Sequence, residues 1–415
     1  MTRLNLLFVT PYLPSPPRFG GQRRLAGLIG GLSRSHDVSV LSFVDPREDF
    51  APSIRATQTY CSRVVAIPNE RLSLPTPRKR LLQGRSLVSK RSFADFVYHR
   101  APMEEALRRL LAEDRYDVVQ FEFTHMAANR PRNGAASRGA RPIFVLDEHN
   151  IEYDILRRTA DGESALDRKL YNAIDWRKLR DEEQEAWRRL DGCALTSDRD
   201  EDLLRRDVPT AKTAVVPNAV DVDFFRPDVN SAEDPNLLVF FGALNYHPNV
   251  DGVSFFLREI LPRVKSRRPG LKLQILGQNP PRDIVARATD GVELTGLVED
   301  VRPYIARAAV VVAPIRIGGG TRFKILEAMA MGKAVVSTTV GAEGIEVRDG
   351  VDILLADEAE AFAAQVDRLL TDAGLRRAMG AAARSLIEHR YSWAASVGRL
   401  ETFHAGLLAA SSTST

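Results

Sequence analysis

The strongest constraint on this chain is a rhythm. Short apolar, β-branched runs alternate with helical stretches along nearly its whole length. In the first half, runs at 4–9, 38–43, 64–67, 118–121, 143–146 and 193–196 read as strands, and stretches at 21–33, 103–112 and 167–190 read as helices between them. Strands separated by helices pair in parallel, and runs apolar throughout are covered on both faces. A stretch rich in Pro, Asn and Asp follows at 207–234, and then the rhythm restarts. Runs at 237–241, 271–276, 292–294, 310–314, 334–338 and 353–355 read as strands, with helices near 250–264 and from about residue 322. Amphipathic helices at 359–370 and 375–390 close the chain. The expected fold is α/β, with two Rossmann-like halves joined near 210–235, and a length of 415 residues suits two domains. Ligands of such sheets lie beyond the carboxyl ends of the strands, so the loops after strands are the places to search.

Composition removes whole classes. At 44% hydrophobic and 27% charged, the chain reads as globular rather than disordered, collagen-like or channel-forming. Cys61 and Cys193 are too few for a disulfide framework or a zinc cluster. No apolar run is long enough to span a bilayer, and the run at 4–9 lacks the charged lead and cleavage site of a signal peptide. The expectation is a cytoplasmic protein, with peripheral contact to the inner face of the plasma membrane left open. The tail AASSTST reads as disordered. The +4 balance of 58 Lys+Arg against 54 Asp+Glu points only weakly to an anionic partner. The basic stretch at 78–100 is a site for phospholipid head groups or another polyanion, or simply a solvated face. No nucleic-acid module is visible, so no nucleic-acid partner is expected.

Several motifs are missing. Phe19-Gly20-Gly21-Gln22 does not supply the G-x-G-x-x-G of a dinucleotide fold, and Gly332-Lys333-Ala334 lacks the hydroxyl of a phosphate loop. Asp198-Arg199-Asp200 reads as a helix start and Asp221-Val222-Asp223 as a turn, rather than as metal carboxylates. No His pair has zincin spacing, and no nucleophile elbow occurs.

Three loops after strands can carry chemistry. The first, TPYLPSPPRFGG at 10–21, ends in Gly20 and Gly21, whose amides at a helix start suit a phosphate; a tight turn explains them equally well. The second, DEHNIEY at 147–153, sets His149 among acids and an amide at a strand end. The third, PIRIGGGTRFKILEAMAM at 314–331, is the most informative. Gly318, Gly319 and Gly320 expose amides without side-chain obstruction, and Thr321 is placed to cap the next helix. Arg322 and Lys324 fall in the first turn, where the helix dipole disfavours cations, which points to an anion there. Glu327 is two turns in, where a carboxylate can accept from vicinal hydroxyls of a ribose.

These residues are similar to those of a known family. The segment at 314–332, with LEAMAMGKAVVST and GAEGI after it, resembles the retaining glycosyltransferases of family 4, in the GGGTRxKxLEAMA form found in sugar transferases linked to exopolysaccharide clusters. PNAVDVDFFRP at 217–227, FFGALNYHPNVDG at 240–252, TGLVEDVRPYIARA at 295–308 and YSWAA at 391–395 extend the likeness. The resemblance implies a GT-B fold, two Rossmann-like domains facing across an interdomain cleft. It implies an acceptor-binding domain at 1–207, a linker at 208–235, a nucleotide-sugar domain at 236–390, and a segment at 391–415 packing back toward the first domain.

Glu327 matches the second Glu of the family's E-x7-E motif, which holds the donor ribose; the first falls on Gly319, a departure. Gly318, Gly319, Gly320 and Thr321 would then meet the donor sugar through backbone amides. Family Arg and Lys residues after the first strand of the second domain are not evident at 242–251, so Arg322 and Lys324 would neutralise the diphosphate. His149 matches a His close to the transferring sugar, and Gly20 and Gly21 match the family's glycine loop. The implied activity is transfer of a sugar from a nucleotide-diphosphate donor to a hydroxyl of a glycan, lipid-linked or small-molecule acceptor, with retention. Neither a metal nor a cofactor beyond that co-substrate is expected. The alternatives are another GT-B sugar-nucleotide enzyme, such as a 2-epimerase, or a nucleotide-sugar-binding protein without catalysis.

Overall fold

The computed structural model describes residues 2–131, 141–163, 165–289 and 291–412. It divides into two compact units, Met1–Pro217 with Ser396–Thr415, and Asn218–Ala395.

The first unit is a seven-stranded parallel sheet in the order β3-β2-β1-β4-β5-β6-β7. Its strands are β1 (Asn5–Thr10), β2 (Asp37–Val44), β3 (Arg63–Pro68), β4 (Val118–Glu122), β5 (Ile143–Glu148), β6 (Gly192–Leu195) and β7 (Thr213–Val215). Helices α1 (Gly20–Leu32), α2 (Ala51–Gln58), α3 (Thr76–Leu87), α4 (Phe93–Tyr98) and α5 (Ala101–Glu113) come before β4. After it come α6 (Thr124–Ala127), α7 (Glu152–Gly162), α8 (Leu166–Arg189) and α9 (Asp198–Asp207). Strands β4, β5 and β6 are buried at every position, as the unbroken apolar runs require. The strand order reverses between β1 and β4, so the loops after these strands flank the switch point.

The second unit repeats the plan with six parallel strands in the order β10-β9-β8-β11-β12-β13. They are β8 (Asp234–Phe241), β9 (Lys272–Leu276), β10 (Val292–Gly296), β11 (Ala308–Ala313), β12 (Ala334–Ser337) and β13 (Leu354–Leu355). Helices α10 (His247–Phe255), α11 (Leu261–Arg267), α12 (Arg282–Arg287) and α13 (Arg302–Arg307) precede α14 (Phe323–Ala330), α15 (Ala359–Thr371) and α16 (Ala373–Arg390). Two apolar clusters cover the two faces of this sheet. Here the switch point lies between β8 and β11.

The differences from the sequence expectation have physical causes. The stretch at 207–234 is not all loop, since Thr213–Val215 adds a half-buried edge strand too short to show a period. The helix near 250–264 is α10 and α11 joined by a π-helical turn, Phe256–Ile260. Pro262 has no N–H with which to continue the ladder. A third closing helix, α17 (Trp393–Ser412), makes residues 409–412 helical rather than disordered, and 413–415 lie outside the described residues. Its buried stripe of Ser396, Val397, Leu400, His404 and Leu407 has helical spacing but contains two polar residues. Each is satisfied within the first unit: Ser396 Oγ donates to the Pro217 carbonyl at 2.9 Å, and His404 Nε2 lies 3.0 Å from Gln120 Oε1. No helix of the described residues is long and apolar enough to cross a membrane.

Candidate functional site

In the first unit, the switch-point loops gather around His149. Helix α1 begins at Gly20, with no side-chain cap, so the amides of its first turn lack intrahelical acceptors. A Cβ on Gly21 would stand 2.0 Å from the Tyr12 hydroxyl, so any side chain there must push the Tyr12 ring aside. Tyr12 packs edge-on to Phe19 at 4.8 Å and to Phe123 at 6.3 Å, and Phe123 lies 3.9 Å from the His149 ring. Gly21, Tyr12, Phe123 and His149 therefore form one contiguous group. Phe123 has a φ of 69°, a left-handed conformation that costs a non-glycine residue about 1–3 kcal/mol and is held by its surroundings.

His149 is buried, and its Nε2 lies 2.7 Å from Glu122 Oε2 at the end of β4. Burial pushes the imidazole down to about 3 and the Glu122 carboxyl up to about 7, so His149 stands neutral at physiological pH. Arg24 of α1, also buried, grips both Asp147 oxygens at 2.7 and 3.0 Å and donates to the Val216 carbonyl at 2.9 Å. Glu122, Asp147 and His149 offer ligand atoms within 4.8 Å of one another. Arg24 compensates the charge of Asp147, and the neutral His149 ring hydrogen-bonds Glu122, so the three belong to one hydrogen-bonded network. Behind it, Glu148 accepts from Trp187 Nε1 at 3.0 Å and from Thr124, and burial raises its carboxyl.

The second unit holds the other site residues. Gly318 and Gly320 have φ of 106° and 76°, conformations that a side chain would strain. Thr321 does not cap the next helix. The cap position is Arg322, without a side-chain cap bond, and Thr321 Oγ1 is buried with no hydrogen-bond partner. The Arg322 guanidinium folds back onto the carbonyls of Gly319 and Gly320. Glu327 is buried, 5% exposed, on the same helix, where a surface glutamate would be open to solvent.

Lys324 reaches furthest. Its Nζ donates to Asn249 Oδ1 at 2.7 Å and sits 4.1 Å from the centre of the Phe240 ring. Asn249 Nδ2 donates in turn to the Ala243 carbonyl at 2.8 Å. A Cβ on Gly242, whose φ is 146°, would stand 2.8 Å from the amine, so Gly242 leaves Lys324 its room. A cation carried by the helix after β11 is thus delivered to the carboxyl end of β8, where the local sequence has none. Burial, helped by Arg322, pushes the amine down to about 7.

Sequence reasoning missed Arg24, Tyr12, Glu122, Phe123, Gly242 and Asn249. Glu122 and Gly242 were findable, because Glu122 ends β4 and Gly242 directly follows β8, both at a switch point. Arg24 and Asn249 carry no local signal. Of the two D-x-D triplets, the first opens α9, with Ser197 Oγ accepting from the Asp200 amide at 3.2 Å. The second is a turn in which Asp221 Oδ1 accepts from the amides of Asp223 and Phe224.

Residues 235–372 match the family model described as glycosyl transferases group 1. Among curated proteins, an uncharacterized 44.6 kDa protein in the cps region of Klebsiella pneumoniae is 22% identical over 63% of this chain and 67% of its own. The D-inositol 3-phosphate glycosyltransferase of Segniliparus rotundus is 29% identical over 47% of this chain and 47% of its own. The chain thus spans between about half and two thirds of these relatives' lengths. Among solved structures, sucrose-phosphate synthase from Thermosynechococcus elongatus superposes with a TM-score of 0.68 at 18% identity, over 98% of this chain and 100% of that one. Anabaena HepE in complex with UDP and glucose gives 0.64 at 14%, over 96% and 99%. Over residues 235–372 the chain matches the group 1 glycosyltransferases, and over nearly its whole length it has the two-domain GT-B fold of these solved structures.

Proposed function

We propose that this chain transfers a sugar from a nucleotide-diphosphate donor to an acceptor hydroxyl with retention, acting in the cytoplasm without a metal. The observation that carries the reading is Lys324, a buried cation set at a switch point beside three glycines and the partnerless Thr321 hydroxyl. A diphosphate would restore the full charge that burial weakens on Lys324, and the amides of Gly318, Gly319 and Gly320 would take sugar hydroxyls or phosphate oxygens. The chief chemical demand is stabilising the charge that develops on the leaving nucleoside diphosphate. In this proposal Lys324, aided by Arg322, supplies that stabilisation. Glu327 is assigned to the ribose, and Gly20 and Gly21 to the donor phosphates. The neutral His149 is assigned to positioning or polarising groups near the transferring sugar.

Support comes from the match of residues 235–372 to group 1 glycosyltransferases and from the shared fold with HepE, whose complex contains UDP and glucose. The likeness to the Klebsiella cps-region protein favours a role in surface-polysaccharide assembly. The acceptor is a glycan, a lipid-linked sugar or a small molecule. The test is a panel of nucleotide-sugars screened by thermal shift, followed by mass spectrometry of products. Slow donor hydrolysis and glycosylated product support transfer. An epimerised donor, formed without acceptor, would make the chain a 2-epimerase; tight binding without turnover would make it a binding protein.

A further inference from the structure

We propose that the outer face formed by α3 and the start of α8 docks on an anionic lipid bilayer. Between Thr76 and Ser92 the sequence carries six basic residues, Arg78, Lys79, Arg80, Arg85, Lys90 and Arg91, and no acidic one. Arg91 has a partner in Asp95 at 3.4 Å; among the described residues the other five have no carboxylate partner. These five are exposed to solvent.

The same face carries apolar side chains in water. Leu81 is 66% exposed, Val88 91%, Leu166 82% and Leu170 64%, with Leu87 at 42%. These are five of the thirteen large hydrophobic side chains exposed among the described residues, so the clustering on two elements is not the scatter of an ordinary surface. Leu82 and Ser86 are the buried residues of α3. Leu81, Arg85 and Val88, at spacings of four and three, share a different face, which is turned outward. The two elements meet directly. Ser86 Oγ lies 3.1 Å from the Tyr171 hydroxyl, and Lys178 Nζ donates to the carbonyls of Ser86 and Leu87. Leu166 and Leu170, one turn apart on α8, therefore continue the surface of α3, with exposed Asp167 and Lys169 between them and Arg168 paired with Glu163 at 3.3 Å.

Protruding leucines beside exposed Arg and Lys are what a surface-bound element needs: the apolar tips enter the head-group boundary and the cations meet lipid phosphates. A second copy fits poorly, because a two-fold interface sets this basic face against itself. Docking by this face does not depend on the donor chemistry proposed above.

The test is co-sedimentation of the full chain with vesicles of phosphatidylcholine alone or mixed with phosphatidylglycerol. Binding is expected to the mixed vesicles only, weakening as salt rises. Two variants, Leu81→Ser with Val88→Ser and Arg78→Glu with Arg80→Glu, are each expected to cut the bound fraction about tenfold at an unchanged melting temperature. No sedimentation, equal sedimentation with neutral vesicles, or variants that bind as well as the parent would overturn the proposal. So would release from the vesicles by soluble glycerol phosphate, which would make a head group alone the ligand. A dimer in sedimentation equilibrium that Leu81→Ser with Val88→Ser dissolves would also overturn it, because the face would then join two copies.

Discussion

Lys324 and Asn249, 75 residues apart, are joined by a 2.7 Å hydrogen bond that holds a buried ammonium at the end of β8, beside a glycine with no room for a side chain. The bond explains how the second unit presents a cation where its first strand-end loop has none. It also ties the proposed donor site to pH. Burial lowers the amine from its ordinary 10.5 to about 7, while in the unfolded chain it keeps the ordinary value. Between those values the unfolded chain holds a proton on this amine that the folded chain lacks, so the contribution of Lys324 to stability rises with pH across this window; below about pH 7 the cost of burying the charge is present in full.

Binding of a nucleoside diphosphate should reverse that deprotonation. At pH 8, calorimetry in buffers of different ionisation enthalpy should show UDP, or whichever diphosphate binds, taking up a substantial fraction of one proton. Affinity should fall as pH rises above 7. Lys324→Met should abolish the uptake and remove this contribution to the stability slope; uptake that persists in that variant would remove Lys324 from the diphosphate site.

His149 is held neutral by burial and fixed by Glu122. His149→Ala should lower turnover by about 10²-fold with little change in donor affinity, the size of effect typical of a positioned proton-transfer or polarising group. Glu122→Gln, which keeps a partner for the ring, should cost less. Unchanged turnover in His149→Ala would end the assignment.

Gly21 is fixed by Tyr12. Gly21→Ala adds helix propensity near the start of α1, yet its Cβ would stand 2.0 Å from the Tyr12 hydroxyl and push that ring against Phe123. Turnover should fall while the melting temperature changes little. Tyr12→Phe, by removing the clashing oxygen, should partly restore Gly21→Ala, and a double-mutant cycle reads the coupling directly.

Gly380 lies within α16, where alanine is ordinarily favoured over glycine by about 1 kcal/mol. Its Cβ would land 2.0 Å from the Gly332 carbonyl oxygen, a backbone atom in a turn with φ of 67°. Gly380→Ala should therefore destabilise the chain, by roughly 1–3 kcal/mol as overpacking does, and a denaturant melt gives the sign.

How far the sequence disclosed this molecule depends on what each feature rests on. The paired sheets were legible because parallel strands buried on both faces are written as unbroken apolar runs. Helix α17 was not, because His404 and Ser396 sit in its buried stripe and find partners only through tertiary contacts. In the candidate site, the glycine run and His149 stood out by their place after strands. Thr321 reads as a cap, yet the helix starts one residue later than that Ser/Thr signal suggests. Arg24 and Asn249 were invisible for a different reason: their roles exist only as pairings, with Asp147 across 123 residues and with Lys324 across 75.

The most direct test of nucleotide-sugar chemistry in the second unit is titration calorimetry of UDP, GDP and ADP against the full chain and its Lys324→Gln variant near pH 7. At least one diphosphate should bind the parent, and the variant, folded by its melt, should bind that diphosphate at least about tenfold more weakly, as loss of a charged partner in a partly dry site predicts. Binding of the same diphosphate with equal affinity to both proteins, or to neither, would contradict the assignment.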